Sequence, residues 1–145
     1  MQTFLPYEDF YKSAQCLDRL RLGKQRVEVK QILITLFDAT SGWKNHPAVL
    51  MWKGHEKFLV QYGIAICTTW TDRGYKDGCK QQIITLGKLF DGATKPPWLG
   101  LKKFHLSHRS NLVRKKPEHY GPLWPTVKPD LPYYWPTKEI NDQRF

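Results

Sequence analysis

The chain has 145 residues, room for one globular core and not for two. Lysine and arginine outnumber aspartate and glutamate 23 to 13, a formal charge of +10, and 41% hydrophobic residues exclude disorder for the bulk of the chain. Because cations neutralise phosphate and flat rings stack on bases, this balance, with 14% aromatic residues, makes nucleic acid the first partner to consider.

The opening residues, Met1 to Pro6, read as an extended lead-in, followed by a short helix from Tyr7 to Ala14 whose Tyr7, Phe10 and Tyr11 form one aromatic stripe. Asp18 has the chemistry of an N-cap for a long helix running to Phe37, with Leu22, Val29, Ile32, Leu33 and Leu36 on its apolar face. A turn-rich stretch from Ala39 to His46 ends at Pro47, which suits the first position of another helix. That helix can run to Arg73 with a break at Gly54, and Gly74 closes it. Further helices are predicted from Lys80 to Phe90 and from Ser107, as cap, to Lys116, where Pro117 stops the run. The remaining tail, rich in proline, tryptophan and tyrosine, is predicted to be non-helical and to wrap over the core. The fold expected is all-α: a single compact helical domain over 1–145, with an extended N-terminus and a Pro/aromatic-rich C-terminal tail.

No apolar run approaches the about 20 residues that span a bilayer, so no membrane segment is expected. The start also lacks the basic and apolar regions of a secretory signal, which points to the cytoplasm. Cys16, Cys67 and Cys79 form no Cys-x-x-Cys pair and are expected to be reduced, buried thiols.

Chemistry concentrates in three places. On the second helix, Arg21, Lys24, Gln25 and Glu28 fall at helical spacing, with Arg26 beside them, so a lone carboxylate sits among cations in a setting suited to an anion. The plainer alternative is an exposed Lys24–Glu28 ion pair. The stretch from Leu101 to Pro117 holds Lys102, Lys103, Arg109, Arg114, Lys115 and Lys116 without an acid, a pattern favouring phosphate. Within it, His105, His108, Ser110 and Asn111 add neutral groups able to bond phosphate or sugar oxygens. The third place carries His46 and His55, each able to line a cleft or to cap a helix. His105 and His108 have no third metal ligand at suitable spacing, and the phosphate-loop, esterase-elbow and metalloprotease motifs are missing, so neither metal nor cofactor is expected.

Several of these features together resemble a known family: Leu17-Asp18 followed by Glu28, Asn45-His46-Pro47 opening a long helix, and its Arg73-Gly74-Tyr75 ending. The chain is similar to the pyrimidine-dimer DNA glycosylases, the endonuclease V-like family. Within it, the chain looks most like a branch of actinobacteria and their phages, through Gln2 to Tyr7, Arg21 to Glu28, His55-Glu56, Pro96-Pro97-Trp98 and His105 to Ser110. The resemblance implies a cytoplasmic enzyme, in a bacterial or infected host cell, that excises a damaged or modified base from duplex DNA, with or without AP-lyase activity. It implies that an N-terminal amine attacks the sugar C1′ while a helix carboxylate, here Glu28, assists. Gln2 is too bulky to favour removal of the first residue, so that amine belongs to Met1. In general α-amines ionise near about 7.7–8.0 and lysine side chains near about 10.4, which makes an α-amine the better neutral-pH nucleophile.

Arg21, Lys24, Gln25, Arg26, His46, His55, His108, Arg109, Ser110, Asn111, Arg114 and Lys115 are the expected DNA-binding residues of a monomer. Trp43, Trp52 and Trp98 are candidates to stack on an extruded base. Water activated by Glu28 is an alternative nucleophile. Two other readings stay open: a DNA-binding module without chemistry, and an enzyme of free or cyclic nucleotides.

Overall fold

The computed structural model describes residues 1–136, and residues 137–145 of the expected single unit lie outside them. The described residues form seven helices and no strand: α1 (Phe10–Cys16), α2 (Arg19–Phe37), α3 (Pro47–Leu50), α4 (Glu56–Asp72), α5 (Cys79–Gly87), α6 (Lys102–Lys115) and α7 (Pro117–Tyr120). The all-α expectation is met. The long helix α2 ends at Phe37 as its periodicity requires, with Leu22, Val29, Ile32 and Leu33 buried along one face.

α4 is the central strut, packing on α1, α2 and α5. A Cβ at Gly63 would lie 2.8 Å from Val29 Cγ1 and 3.1 Å from Ile83 Cδ1, so this glycine lets α2 and α5 close on α4. The expected break at Gly54 separates α3 from α4, and Gly74 follows the end of α4. Both adopt positive φ, 85° and 94°, which a side chain would strain. Arg73 reaches from the end of α4 to donate to the carbonyls of Gln15 (3.0 Å) and Leu17 (2.8 Å), satisfying the C-terminus of α1.

Residues 2–6 form the unusual part of the core. Thr3, Phe4, Leu5 and Pro6 are buried in an extended segment with no neighbouring strand, so side chains must satisfy its backbone. Gln25 donates through Nε2 to the Gln2 carbonyl (2.8 Å) and accepts the Phe4 N–H through Oε1 (3.0 Å). The Tyr62 hydroxyl reaches the Phe4 carbonyl (2.7 Å), and the Trp52 indole donates to Thr3 Oγ1 (3.2 Å). Two histidines hold the Leu5 peptide: His108 Nδ1 accepts its N–H (2.8 Å), and His105 Nδ1–H donates to its carbonyl (2.8 Å). Arg109 donates to the Pro6 carbonyl at 2.7 Å.

α6 begins at Lys102, five residues before the expected cap, and Ser107 lies within it, donating to the Phe104 carbonyl at 2.7 Å. The start is hidden in the sequence because polar residues, His105, Ser107, His108, Ser110 and Asn111, share the buried face of α6 with Phe104, Leu112 and Val113. Pro117 ends α6 and opens the short α7. The chain after Gly121 is non-helical up to Trp135, as predicted, and docks along α6. Ser110 Oγ donates to the Lys128 carbonyl and accepts the Leu131 N–H (3.0 Å), Ser107 Oγ accepts the Tyr134 N–H (3.2 Å), and Trp124 donates to the Tyr7 hydroxyl (2.8 Å). Cys67 is buried while Cys16 and Cys79 are half-buried, and all three are free; burial pushes the Cys16 and Cys67 thiols up to about 12.

Candidate active site

The anchored N-terminal segment delivers Met1 to a cleft of about 350 Å³. Met1, Gln2 and Phe4 form one side; Leu20, Arg21, Lys24, Gln25 and Glu28 of α2 form the other, and Lys115 from the end of α6 closes it. The spacing of the α2 residues puts them on one face, and the fixed course of residues 2–6 sets the terminal residue against that face. Among the described residues, no hydrogen bond or ion pair engages Glu28, so the alternative of a Lys24–Glu28 pair is not formed. A carboxylate without a partner, facing a chain terminus and three cations, is arranged for a ligand that carries both negative charge and a reacting centre.

Arg21 is aimed by a buried network. Its guanidinium donates to Asp18 Oδ1 at 3.2 Å, and Tyr120 donates to the same oxygen while accepting the Asp18 N–H at 2.9 Å. Asp18 thus occupies the capping position of α2 without capping it. Burial works against the Asp18 charge, but the Tyr120 and Arg21 hydrogen bonds outweigh it and hold the carboxyl below the usual range. Lys116 Nζ stands 3.9 Å from the other oxygen.

His46 caps α3, its Nδ1 accepting the Ala48 N–H at 3.0 Å. Its pKa lies below the ordinary value, chiefly through burial and then through the N-terminal amine, with Glu28 acting in the opposite sense. Its ring lies between Trp43 (5.7 Å) and Trp135 (6.1 Å). Trp43 is half exposed, whereas Trp52 and Trp98 are buried edge to face at 4.9 Å and are removed as stacking platforms.

The other expected DNA contacts hydrogen-bond within the protein, His108, Ser110 and Asn111 in its interior, His55 half-buried and Arg114 on the surface. His108 is fully buried with both nitrogens engaged, by Leu5 and by the Tyr133 hydroxyl at 2.8 Å, and burial drives its pKa well below the ordinary value. Ser110 is equally buried between Lys128 and Leu131. Asn111, buried, accepts from Arg114 at 2.9 Å, and Arg114 also holds the Pro129 carbonyl at 2.7 Å. Arg26 pairs with Asp77 at 2.7 Å and lies over the Trp70 ring at 4.5 Å, away from the cleft. His55 Nδ1–H donates to the Thr94 carbonyl at 2.7 Å. His105 has both nitrogens committed, to Leu5 and to the Gly100 N–H at 2.9 Å, so neither histidine of this pair has a nitrogen left for a metal.

Gln25, one of the expected DNA contacts, borders the cleft but is buried and clamps residues 2–4. Its place in the buried stripe, three residues after Leu22 and four before Val29, is the signal that marks it as a core residue. Leu20 lies off that stripe, and no motif in the sequence marks it.

Residues 1–82 match the family model described as pyrimidine dimer DNA glycosylase, more than half of the chain. The protein belongs to this family. Family membership implies DNA glycosylase activity at pyrimidine dimers, and hence DNA as substrate. The matched glycosylase region contains Met1, Arg21, Lys24 and Glu28, and among the described residues Lys115 lines the cleft from beyond it. No curated protein and no solved structure matches the chain. No helix among the described residues of this glycosylase is long and apolar enough to cross a membrane.

Proposed function

We propose that the protein is a monomeric DNA glycosylase with AP-lyase activity that excises a damaged pyrimidine from duplex DNA, with the Met1 α-amine as nucleophile and Glu28 as the assisting carboxylate. The observation that carries this reading is the shared cleft of Met1 and Glu28, with Arg21, Lys24 and Lys115 around them. The cations bind the phosphates flanking the lesion and bring C1′ to the amine. The amine nitrogen bonds to C1′ as the glycosidic C1′–N bond breaks, and its electron pair departs with the base. Glu28 stabilises the positive charge on the sugar, accepts a proton from the attacking nitrogen and returns it to the ring oxygen as the sugar opens to an imine. In the lyase step Glu28 takes the C2′ proton, the C3′–O bond breaks, and the 3′ phosphate leaves.

Borohydride trapping on a dimer-containing or abasic duplex tests the reading. An adduct mapped to Met1 is the expected result, and cleavage with an adduct on a lysine refutes the assignment of the nucleophile. Glu28→Gln should lower cleavage by about 10²–10⁴ while duplex binding holds or tightens, because one negative charge facing phosphate is lost. Equal loss of binding, cleavage and stability would make Glu28 a structural residue instead.

A further inference from the structure

Leu20 is 66% exposed, the highest value among the exposed large hydrophobics of the described residues. It takes no part in the core, since the buried stripe of α2 runs through Leu22, Gln25, Val29, Ile32 and Leu33. Single exposed leucines are ordinary on protein surfaces, but this one lines the cleft beside Met1. It also has Arg21 next to it and Lys24 one helical turn further on the same face.

The nucleophile is held in a segment that cannot extend. Residues 2–6 are fixed by Gln25, Tyr62, His105, His108 and Arg109, so an amine on Met1 cannot leave the cleft to reach a sugar inside a base stack. The DNA must be deformed to bring C1′ to it. An apolar tip beside two cations proposed to bind phosphate gains nothing by resting on the phosphates. Its favourable destination is between base pairs, where apolar side chains part a step and kink the duplex.

We infer that Leu20 is the wedge of this enzyme: it enters the base stack at the lesion, fills the space left by the displaced nucleotide and so presents C1′ to the cleft. This inference rests on the glycosylase reading and deepens it. Leu20 is a positioning residue and does not touch the reacting atoms.

The test compares Leu20→Ala and Leu20→Met with wild type in single-turnover cleavage of a dimer-containing strand, alone and in duplex. The duplex carries 2-aminopurine beside the lesion to report unstacking. The ratio of duplex to single-strand rate should fall about tenfold or more in Leu20→Ala, with the fluorescence rise lost, and should recover in Leu20→Met, which restores apolar reach. A ratio unchanged in Leu20→Ala, or rates lowered equally on both substrates, overturns the wedge while leaving the glycosylase reading in place. A wild-type protein that cleaves neither substrate overturns both.

Discussion

Replacing Gln25 by leucine removes three hydrogen bonds at nearly constant volume and tests whether the N-terminal segment is held by side chains. Gln25 is 1% exposed; its oxygen accepts from the Phe4 N–H at 3.0 Å and the Tyr62 hydroxyl at 2.7 Å, and its nitrogen donates to the Gln2 carbonyl at 2.8 Å. After substitution the Tyr62 hydroxyl keeps the Phe4 carbonyl, 2.7 Å away, so it is not orphaned. The Phe4 N–H is, because Phe4 is 7% exposed and no water reaches it readily. An unsatisfied buried donor costs about 1–3 kcal/mol, and the half-buried Gln2 carbonyl, able to regain water, adds less, for a total of about 2–4 kcal/mol. Domains of this size have about 5–15 kcal/mol to lose, so the variant should remain folded and measurable in urea.

The functional consequence separates this clamp from an ordinary core contact. Freed at Gln2 and Phe4, the terminal residue no longer has a fixed position against Glu28, so borohydride trapping per folded molecule should fall with the stability. Gln25→Leu losing less than about 0.5 kcal/mol, well under the cost of one buried orphan, would refute the clamp. Wild-type trapping from a destabilised variant would show that the amine is positioned by something else.

Salt dependence should report the cations of the cleft, Arg21, Lys24 and Lys115, giving a slope of about −3 in log K against log salt. Arg109→Ala should lower stability and leave that slope nearly unchanged, since its guanidinium serves Pro6. Stability should also respond to acid in the histidine range. The folded pKa of His108 lies below its unfolded value of about 6.5, so its contribution is present above that pH and is lost as pH falls, by up to about 1.4 kcal/mol per pH unit. His105 acts in the same sense. Urea melts between about pH 7 and about pH 5 read this before the carboxylates titrate, and a flat profile would contradict neutral histidines at Leu5.

Helix positions were legible where apolar spacing is regular and punctuation is strong. α2 follows Leu22, Val29, Ile32 and Leu33 to its end, and the α3–α4 break falls at a glycine whose φ is 85°. α6 was legible only from its middle, because five of the residues on its buried face are polar. Periodicity detects a helix by the contrast between its faces, and here the polar residues among Phe104, Leu112 and Val113 on the buried face weaken that contrast. The cleft was half legible: the spacing of Arg21, Lys24 and Glu28 is a local property of one helix. The arrival of Met1 depends on contacts from residues 62, 105, 108 and 109, which no local pattern relates to the N-terminus.

The same cause explains why several residues expected at DNA hydrogen-bond within the fold. An extended segment crossing a helical core has no strand to pair with, so every buried N–H and carbonyl along it requires a side chain. The residues able to answer are histidine, glutamine, tyrosine, serine and arginine, the same types that contact phosphate and sugar. In α6 this demand comes from two sides at once. His105, His108 and Arg109 serve the N-terminal segment, while Ser107, Ser110 and Arg114 serve the tail. Composition counts such groups without saying whether they face a backbone inside the protein or one outside it. The partners that each side chain finds in the fold decide which it is, not its type. Those partnered to the N-terminal segment hold the terminus still, while Lys24, Lys115 and the Glu28 carboxylate line the cleft at that terminus, where the proposed mechanism uses them.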